Sequence, residues 1–163
     1  LASVVLASLN TARSKARDAR RIADVKQLQL ALELYYDSNG RYPISNVGGC
    51  GSTSPNAGWC NSIESLAGGH WIRDGGVANV LSPFMSAEPT DPIQGASPNW
   101  LPYNGGTIFY ASTSPGQWYM IVFGLENYPH QLESQDGVTD CVPLTYDYGS
   151  GSDGIITMGV SCI

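Results

Sequence analysis

The chain has 163 residues and a formal net charge of −6, a length that suits one domain with its own core. Its 42% hydrophobic share excludes a disordered chain, while charged residues at 13% are about half the usual fraction. The acidic balance argues against a nucleic-acid binder, which needs a basic face, and no apolar run reaches the roughly 18 residues needed to span a bilayer.

The charge is unevenly placed. Arg13, Lys15, Arg17, Arg20, Arg21 and Lys26 are six of the eight basic residues and fall within fourteen positions. Through residue 41, seven basic residues against four carboxylates leave +3; beyond it, Arg73 against ten carboxylates leaves −9. A basic amino-terminal arm ahead of an acidic body implies a different environment for each.

From Leu1 to Asp37 there is neither Pro nor Gly, and Ala, Leu, Arg, Lys and Gln dominate. That composition predicts one helix of roughly 55 Å, stopped by Asp37-Ser38-Asn39-Gly40 with Pro43 beyond. Residues 1–9 are apolar nearly all round. Residues 10–21 are polar and basic. From residue 22 a narrow stripe of Ile22, Val25, Leu28, Leu32 and Tyr35 marks one buried face. The pattern therefore divides the chain into a helix over 1–37, with 1–21 projecting and 22–37 packed, and a head over 38–163. The competing reading is a helix docked along its whole length.

Tyr42-Pro43 opens a Gly-, Ser-, Asn- and Pro-rich stretch to Trp59 with no periodicity. Asn61-Ser62-Ile63-Glu64 resembles a capping box and predicts a short helix to about Ala67. Val77–Leu81 predicts a short helix or turn, and Pro89-Thr90-Asp91-Pro92 forces extended or turn geometry. Residues 107–113 and 117–123 are rich in β-branched and aromatic residues around Ser114-Pro115-Gly116, which predicts a hairpin. Residues 154–160 predict a third strand. A long amino-terminal helix on a small antiparallel sheet, with a loop-rich, disulfide-stapled carboxyl-terminal region, is an α+β architecture.

Cys50, Cys60, Cys141 and Cys162 allow three pairings. The simplest is sequential, Cys50–Cys60 and Cys141–Cys162, each closing a segment with too few apolar residues to order itself. Zinc ligation requires clustered pairs of the C-x-x-C kind, which the sequence lacks. Disulfides imply an oxidising, non-cytosolic compartment.

Catalytic patterns are absent from the sequence. The two histidines, His70 and His130, have no companion at helical ligand spacing, and there is no G-x-S-x-G elbow or phosphate loop. A non-enzymatic role without a required cofactor is expected. Asp136, Asp140, Asp147 and Asp153, interleaved with Gly, form a candidate Ca²⁺ set of hard oxygen ligands. Their spacing does not match an EF-hand, and a solvated acidic loop is the competing reading.

The helix from Leu1 through Leu28, continuing over Leu32-Glu33-Leu34-Tyr35-Tyr36 to Asn39-Gly40-Arg41-Tyr42-Pro43, resembles the type IV pilin and pseudopilin superfamily. Pro89–Pro92 and Tyr119–Glu126 resemble that family's loop and sheet signatures, and Cys141–Cys162 its carboxyl-terminal disulfide loop. The family's helix follows a cleaved leader and an apolar segment containing a Glu, and the first part of that segment is absent ahead of Leu1. Major pseudopilins often hold Ca²⁺ in an acidic carboxyl-terminal loop, but no ligand motif carries across.

The resemblance implies a structural subunit of an extracellular pilus-like filament or a periplasmic pseudopilus, membrane-inserted before assembly. It implies as partners further copies of the chain, the assembly machinery of the inner membrane and the membrane itself, with no nucleic acid. The implied assembly surface comprises Leu1, Val4, Val5, Leu6, Leu9, Ala12, Arg13, Ala16 and Arg20. The basic run over 13–26 then meets acidic neighbouring bodies or anionic lipid headgroups; a solvated face is the alternative. The alternative function is a minor, tip-located pilin acting as an adhesin or binding module, with Trp59, Trp71, Trp100 and Trp118 as surface contacts.

Overall fold

A computed structural model of the chain describes residues 2–46, 50, 58–64, 69–93, 106–127, 137–148 and 154–163. One helix, α1 (Ala2–Asn39), is followed by six short strands: β1 (Trp59–Asn61), β2 (Ile108–Ala111), β3 (Tyr119–Gly124), β4 (Val138–Thr139), β5 (Thr145–Tyr146) and β6 (Ile155–Val160). The α+β class read from the sequence holds.

The helix runs two residues beyond its expected end at Asp37. It closes with Gly40 at φ +69°, whose amide donates to the Tyr36 carbonyl at 2.7 Å. Glycine adopts that left-handed cap without a Cβ penalty. Asn39 Nδ2 also donates to the Tyr35 carbonyl at 2.8 Å, a further bond at the end of the helix.

The principal sheet has the order β1-β2-β3-β6, antiparallel throughout. The expected hairpin is β2–β3, with Ile108 opposite Phe123 and Ala111 opposite Met120. Its turn carries a cis Ser114–Pro115 bond and Gly116 at φ +78°. The third expected strand is β6, which pairs with β3 from Tyr119↔Val160 to Gly124↔Ile155.

Every residue of β2 and β3 is buried, and the pleat divides them into two cores. Ile108, Tyr110, Tyr119, Ile121 and Phe123 face α1, meeting Val25, Leu28, Leu32 and Tyr35. Phe109, Ala111, Met120 and Val122 face the other way, toward Val138, Tyr146 and Tyr148. The sheet is thus the middle of three layers, which explains why its strands read as continuous apolar runs rather than alternating ones.

The outer layer, on the side of the sheet away from α1, is thin and is held by local bonds. β4 and β5 pair over only two residues each. Cys141–Cys162 ties their connection to the segment after β6, and the Cys162 amide donates to the Thr139 carbonyl at 2.8 Å. The second disulfide, Cys50–Cys60, fastens the loop after α1 to β1. Both bridges follow the sequential pairing, and no described cysteine is free.

Asn61 caps the turn after β1, accepting the Ile63 amide at 3.2 Å, but that described turn over Ser62–Glu64 is 3₁₀ rather than α-helical. The remainder of the expected helix lies outside the described residues. Val77–Leu81 takes the turn alternative, with an isolated Asp74↔Val77 bridge.

Candidate functional site

The stripe of Val25, Leu28 and Leu32 continues toward the amino terminus at helical spacing onto Arg21, Asp18, Arg17 and Ser14, which are polar. These four residues are met by the loop after β3 and by the Pro89–Pro92 segment. Arg21 is fully buried and donates through Nε to Asp91 at 2.7 Å and through Nη2 to its other carboxylate oxygen at 3.0 Å. Its Nη1 donates to Asp18 at 2.8 Å and to Glu126 at 2.6 Å. Arg17 Nε donates to Glu126 at 2.8 Å, and Ser14 Oγ to Asn127 at 3.1 Å.

Asp18 works in the opposite sense, as an acceptor for the loop. It takes the Glu126 amide at 2.9 Å, the Asn127 amide at 3.0 Å and the Asn127 side-chain Nδ2 at 2.7 Å. Burial alone would raise its pKa, but these donors and Arg21 outweigh it and hold the carboxyl below its usual range. Burial likewise opposes ionisation of Asp91, and the Arg21 guanidinium with the Ile93 amide reverses the sign. The Arg17 side chain is the main cause of the lowered Glu126 pKa. Five charged groups therefore form one clamp, with two cations between three carboxylates.

The clamp moves the boundary of the projecting arm. Docking begins at Ser14, not at Ile22, because ionic contacts do the work that apolar contacts do further along. The basic run is corrected in the same way. Arg17 and Arg21 bind carboxylates of their own chain; Arg21 is fully buried there, while Arg17 keeps 32% of its side chain exposed. Arg13, Lys15, Arg20 and Lys26 remain exposed, with Arg20 in a 3.4 Å pair to Asp24. At 65% side-chain exposure that pair contributes little.

The described part of the arm is open to solvent. Every residue from Val5 to Arg13 is exposed, with Val5 at 64%, Leu6 at 60% and Leu9 at 44%. Ala12, Ala16 and Arg20 of the expected assembly surface are exposed too. Leu1 and the Val4 side chain lie outside the described residues. Among the described residues no helix is long and apolar enough to cross a membrane.

A second polar network fixes where the chain leaves α1. Arg41 grips Asp74 with two bonds of 2.7 Å, and Tyr35 Oη and the Ile44 amide donate to the same carboxylate at 2.7 and 3.0 Å. Burial, reinforced by Asp74, pushes the Tyr35 phenol up to about 12.

The acidic cluster does not converge where it is described. Asp140 is engaged by the Val142 and Leu144 amides at 2.8 and 3.0 Å and by the Tyr146 hydroxyl at 3.2 Å. Asp140 and Asp147 sit at opposite ends of the β4–β5 ladder, while Asp136 and Asp153 lie outside the described residues. No group of three metal-ligating side chains occurs among the described residues.

The described tryptophans pack within the head. Trp71 and Trp118 are 2% and 1% exposed, and Trp59 packs edge-on to Phe109 and Tyr148. Trp100 and His130 lie outside the described residues. The described tryptophans are therefore core rather than an open aromatic binding face. His70 is buried beside Glu88, whose carboxylate also accepts the Trp71 and Ile72 amides, an arrangement that organises a loop.

The class is that of an α+β head, stapled by two disulfides, that clamps the carboxyl-terminal two thirds of a long helix and leaves residues 5–13 exposed. Compared with protein-family models, with curated proteins and with solved structures, the chain matches none.

Proposed function

We propose that the chain is a structural subunit of a non-covalent filament of the type IV pilin or pseudopilin kind, polymerising through α1 outside the cytosol. The observation that carries the reading is the helix tip: Val5, Leu6 and Leu9 are 64%, 60% and 44% exposed on a segment whose described residues from Val5 to Arg13 are all exposed. Burial of that surface between copies supplies a driving force that one copy leaves unused. The two disulfides support an oxidising destination, and the clamp supports a rod held at a fixed angle to its head.

Magnitude sets the kind of assembly. Fully burying a Val or Leu contributes about 1.5–3 kcal/mol, so three partly exposed tips contribute on the order of 3 kcal/mol. Association costs at least about 4 kcal/mol in lost translational and rotational freedom. A tip-to-tip pair buries the tips of both copies, on the order of 6 kcal/mol, which falls inside the roughly 4–15 kcal/mol that association costs. Contact with several neighbours, as in a helical fibre, gives the surplus that one contact lacks.

The test is electron microscopy of fibres formed by the chain and by its Val5→Glu and Leu9→Glu variants. Fibres from the parent chain and none from the variants are expected. Normal fibres from both variants would sink the reading.

A further inference from the structure

The two disulfides stand in unlike surroundings. Cys50 and Cys60 are buried in the core between α1 and the sheet, and their bridge ends on β1, which pairs with β2 over three residues. Cys141 and Cys162 are both partly exposed, at the rim of the outer layer. Val142, Pro143 and Leu144, next in the chain, are open to solvent. Thiol–disulfide exchange requires a thiolate to reach one sulfur of the bridge. That approach is open at Cys141–Cys162 in the folded head, whereas at Cys50–Cys60 the core must part first.

The open bridge holds a layer with little strength of its own. β4 and β5 pair over two residues each, and Asp140 organises the turn between them from within. Two of the layer's bonds to the segment after β6 lie directly beside the bridge: the Cys162 amide to the Thr139 carbonyl at 2.8 Å, and the Thr139 amide to Ser161 Oγ at 3.1 Å. Further along, Thr157 Oγ1 accepts the Tyr148 amide at 3.0 Å and donates to the Tyr148 carbonyl at 2.6 Å. Yet this thin layer covers a large apolar face. Tyr146 lies on buried Trp118 with ring centroids 5.7 Å apart and planes 8° from parallel, and Phe109, Met120 and Val122 are buried on the same side. The bridge joins residues 21 apart in sequence, against 10 for the other, so it removes more freedom from the open state of its segment.

We propose that Cys141–Cys162 is a reducible latch. A dithiol reductant opens it in the folded head, the β4–β5 layer lifts as a local unit, and the face of Trp118, Met120 and Val122 is uncovered while α1, the principal sheet and Cys50–Cys60 stay in place. One thiolate of the dithiol attacks a bridge sulfur, forming a mixed disulfide and releasing the other cysteine, which takes up a proton. The second thiol of the reductant then attacks the mixed disulfide. Two cysteine thiols result, the reductant leaves as a cyclic disulfide, and two electrons and two protons have passed to the chain. None of Arg17, Asp18, Arg21, Asp91 and Glu126 belongs to the layer, so the hold on α1 survives the opening. Nothing in the latch depends on polymerisation.

The test is reduction of the full chain by dithiothreitol without denaturant, followed by iodoacetamide and peptide mass mapping. Cys141 and Cys162 are expected to be labelled at least tenfold faster than Cys50 and Cys60. In the chain reduced at that one bridge, amide exchange should rise at least tenfold in β4 and β5 and keep the parent rate over residues 21–35 of α1. An anilinonaphthalene sulfonate dye, which reports exposed apolar surface, should bind it more than the oxidised chain. Equal reduction rates at the two bridges would overturn the proposal. Selective reduction that changes neither exchange in β4 and β5 nor dye binding also overturns it, because the bridge is then only a staple. Faster exchange that spreads through α1 does the same, since the head then opens as one unit. A chain with Cys141→Ser and Cys162→Ser should bind the dye without reductant and still melt cooperatively; parent-like dye binding, or failure to fold, refutes the latch.

Discussion

Arg21 shows how one residue sets the geometry of the arm. With no exposure and both faces of its guanidinium used, it has no alternative solvation, so its removal leaves Asp91, Asp18 and Glu126 facing one another. Arg21→Ala is expected to cost about 3–5 kcal/mol, read as a lower urea midpoint. Arg21→Lys should fall between the two, because an ammonium cannot reproduce the planar two-pronged bond to Asp91. The same cluster makes stability fall in acid. Asp18, Asp91 and Glu126 ionise more readily when folded than their unfolded values near 4. Below that range the unfolded state binds more protons, so the contribution is full above about pH 5 and is lost as pH drops through the lowered folded values. Thermal melts between pH 3 and pH 7 should show this slope, and Asp91→Asn should flatten it. Little of the clamp was legible in the sequence. The helix side of it was available, since the Val25–Leu28–Leu32 stripe extrapolates onto Arg21 and Asp18. Asp91 and Glu126 were not, because they are 70 and 105 residues from Arg21 and only the fold brings them there.

At the scale of elements, β6 depends on a missing side chain. A Cβ on Gly159 would stand 2.0 Å from the Tyr119 carbonyl oxygen and 3.0 Å from Met120 Cα, both backbone atoms of β3 that cannot turn aside. Gly159→Ala should push the strands apart at the Met120↔Gly159 pair and cost about 1–3 kcal/mol, detectable as earlier amide exchange in β6 than in β2. Long or strongly apolar elements were readable beforehand: α1 by composition, β2, β3 and β6 by runs of branched and aromatic residues. β1, β4 and β5 were not. Each has two or three residues, too few for any period to register, and each forms because a disulfide or a neighbouring strand holds it in place. The loop at Glu88 is similar: one buried carboxylate, accepting the Trp71 and Ile72 amides, orders a stretch that has no pattern of its own.

For the whole molecule, arm and head separate energetically. The residues from Val5 to Arg13 are all exposed, so deleting residues 1–12 should change head stability by no more than about 0.5 kcal/mol in a denaturant melt, while abolishing fibres under the filament reading. An equal loss of stability and assembly would mean that the arm is part of the head's own core. The sequence by itself determined the α+β class, the single long helix and the hairpin, because each depends on propensity or local spacing, and among three cysteine pairings it offered the sequential one only as the simplest. Only the tertiary structure decided where the helix stops being held, that both faces of the sheet are covered, and which arginines are consumed inside the chain. Those outcomes depend on which distant groups arrive at the same place, and a buried charge is indistinguishable from a solvated one until its partners are in position.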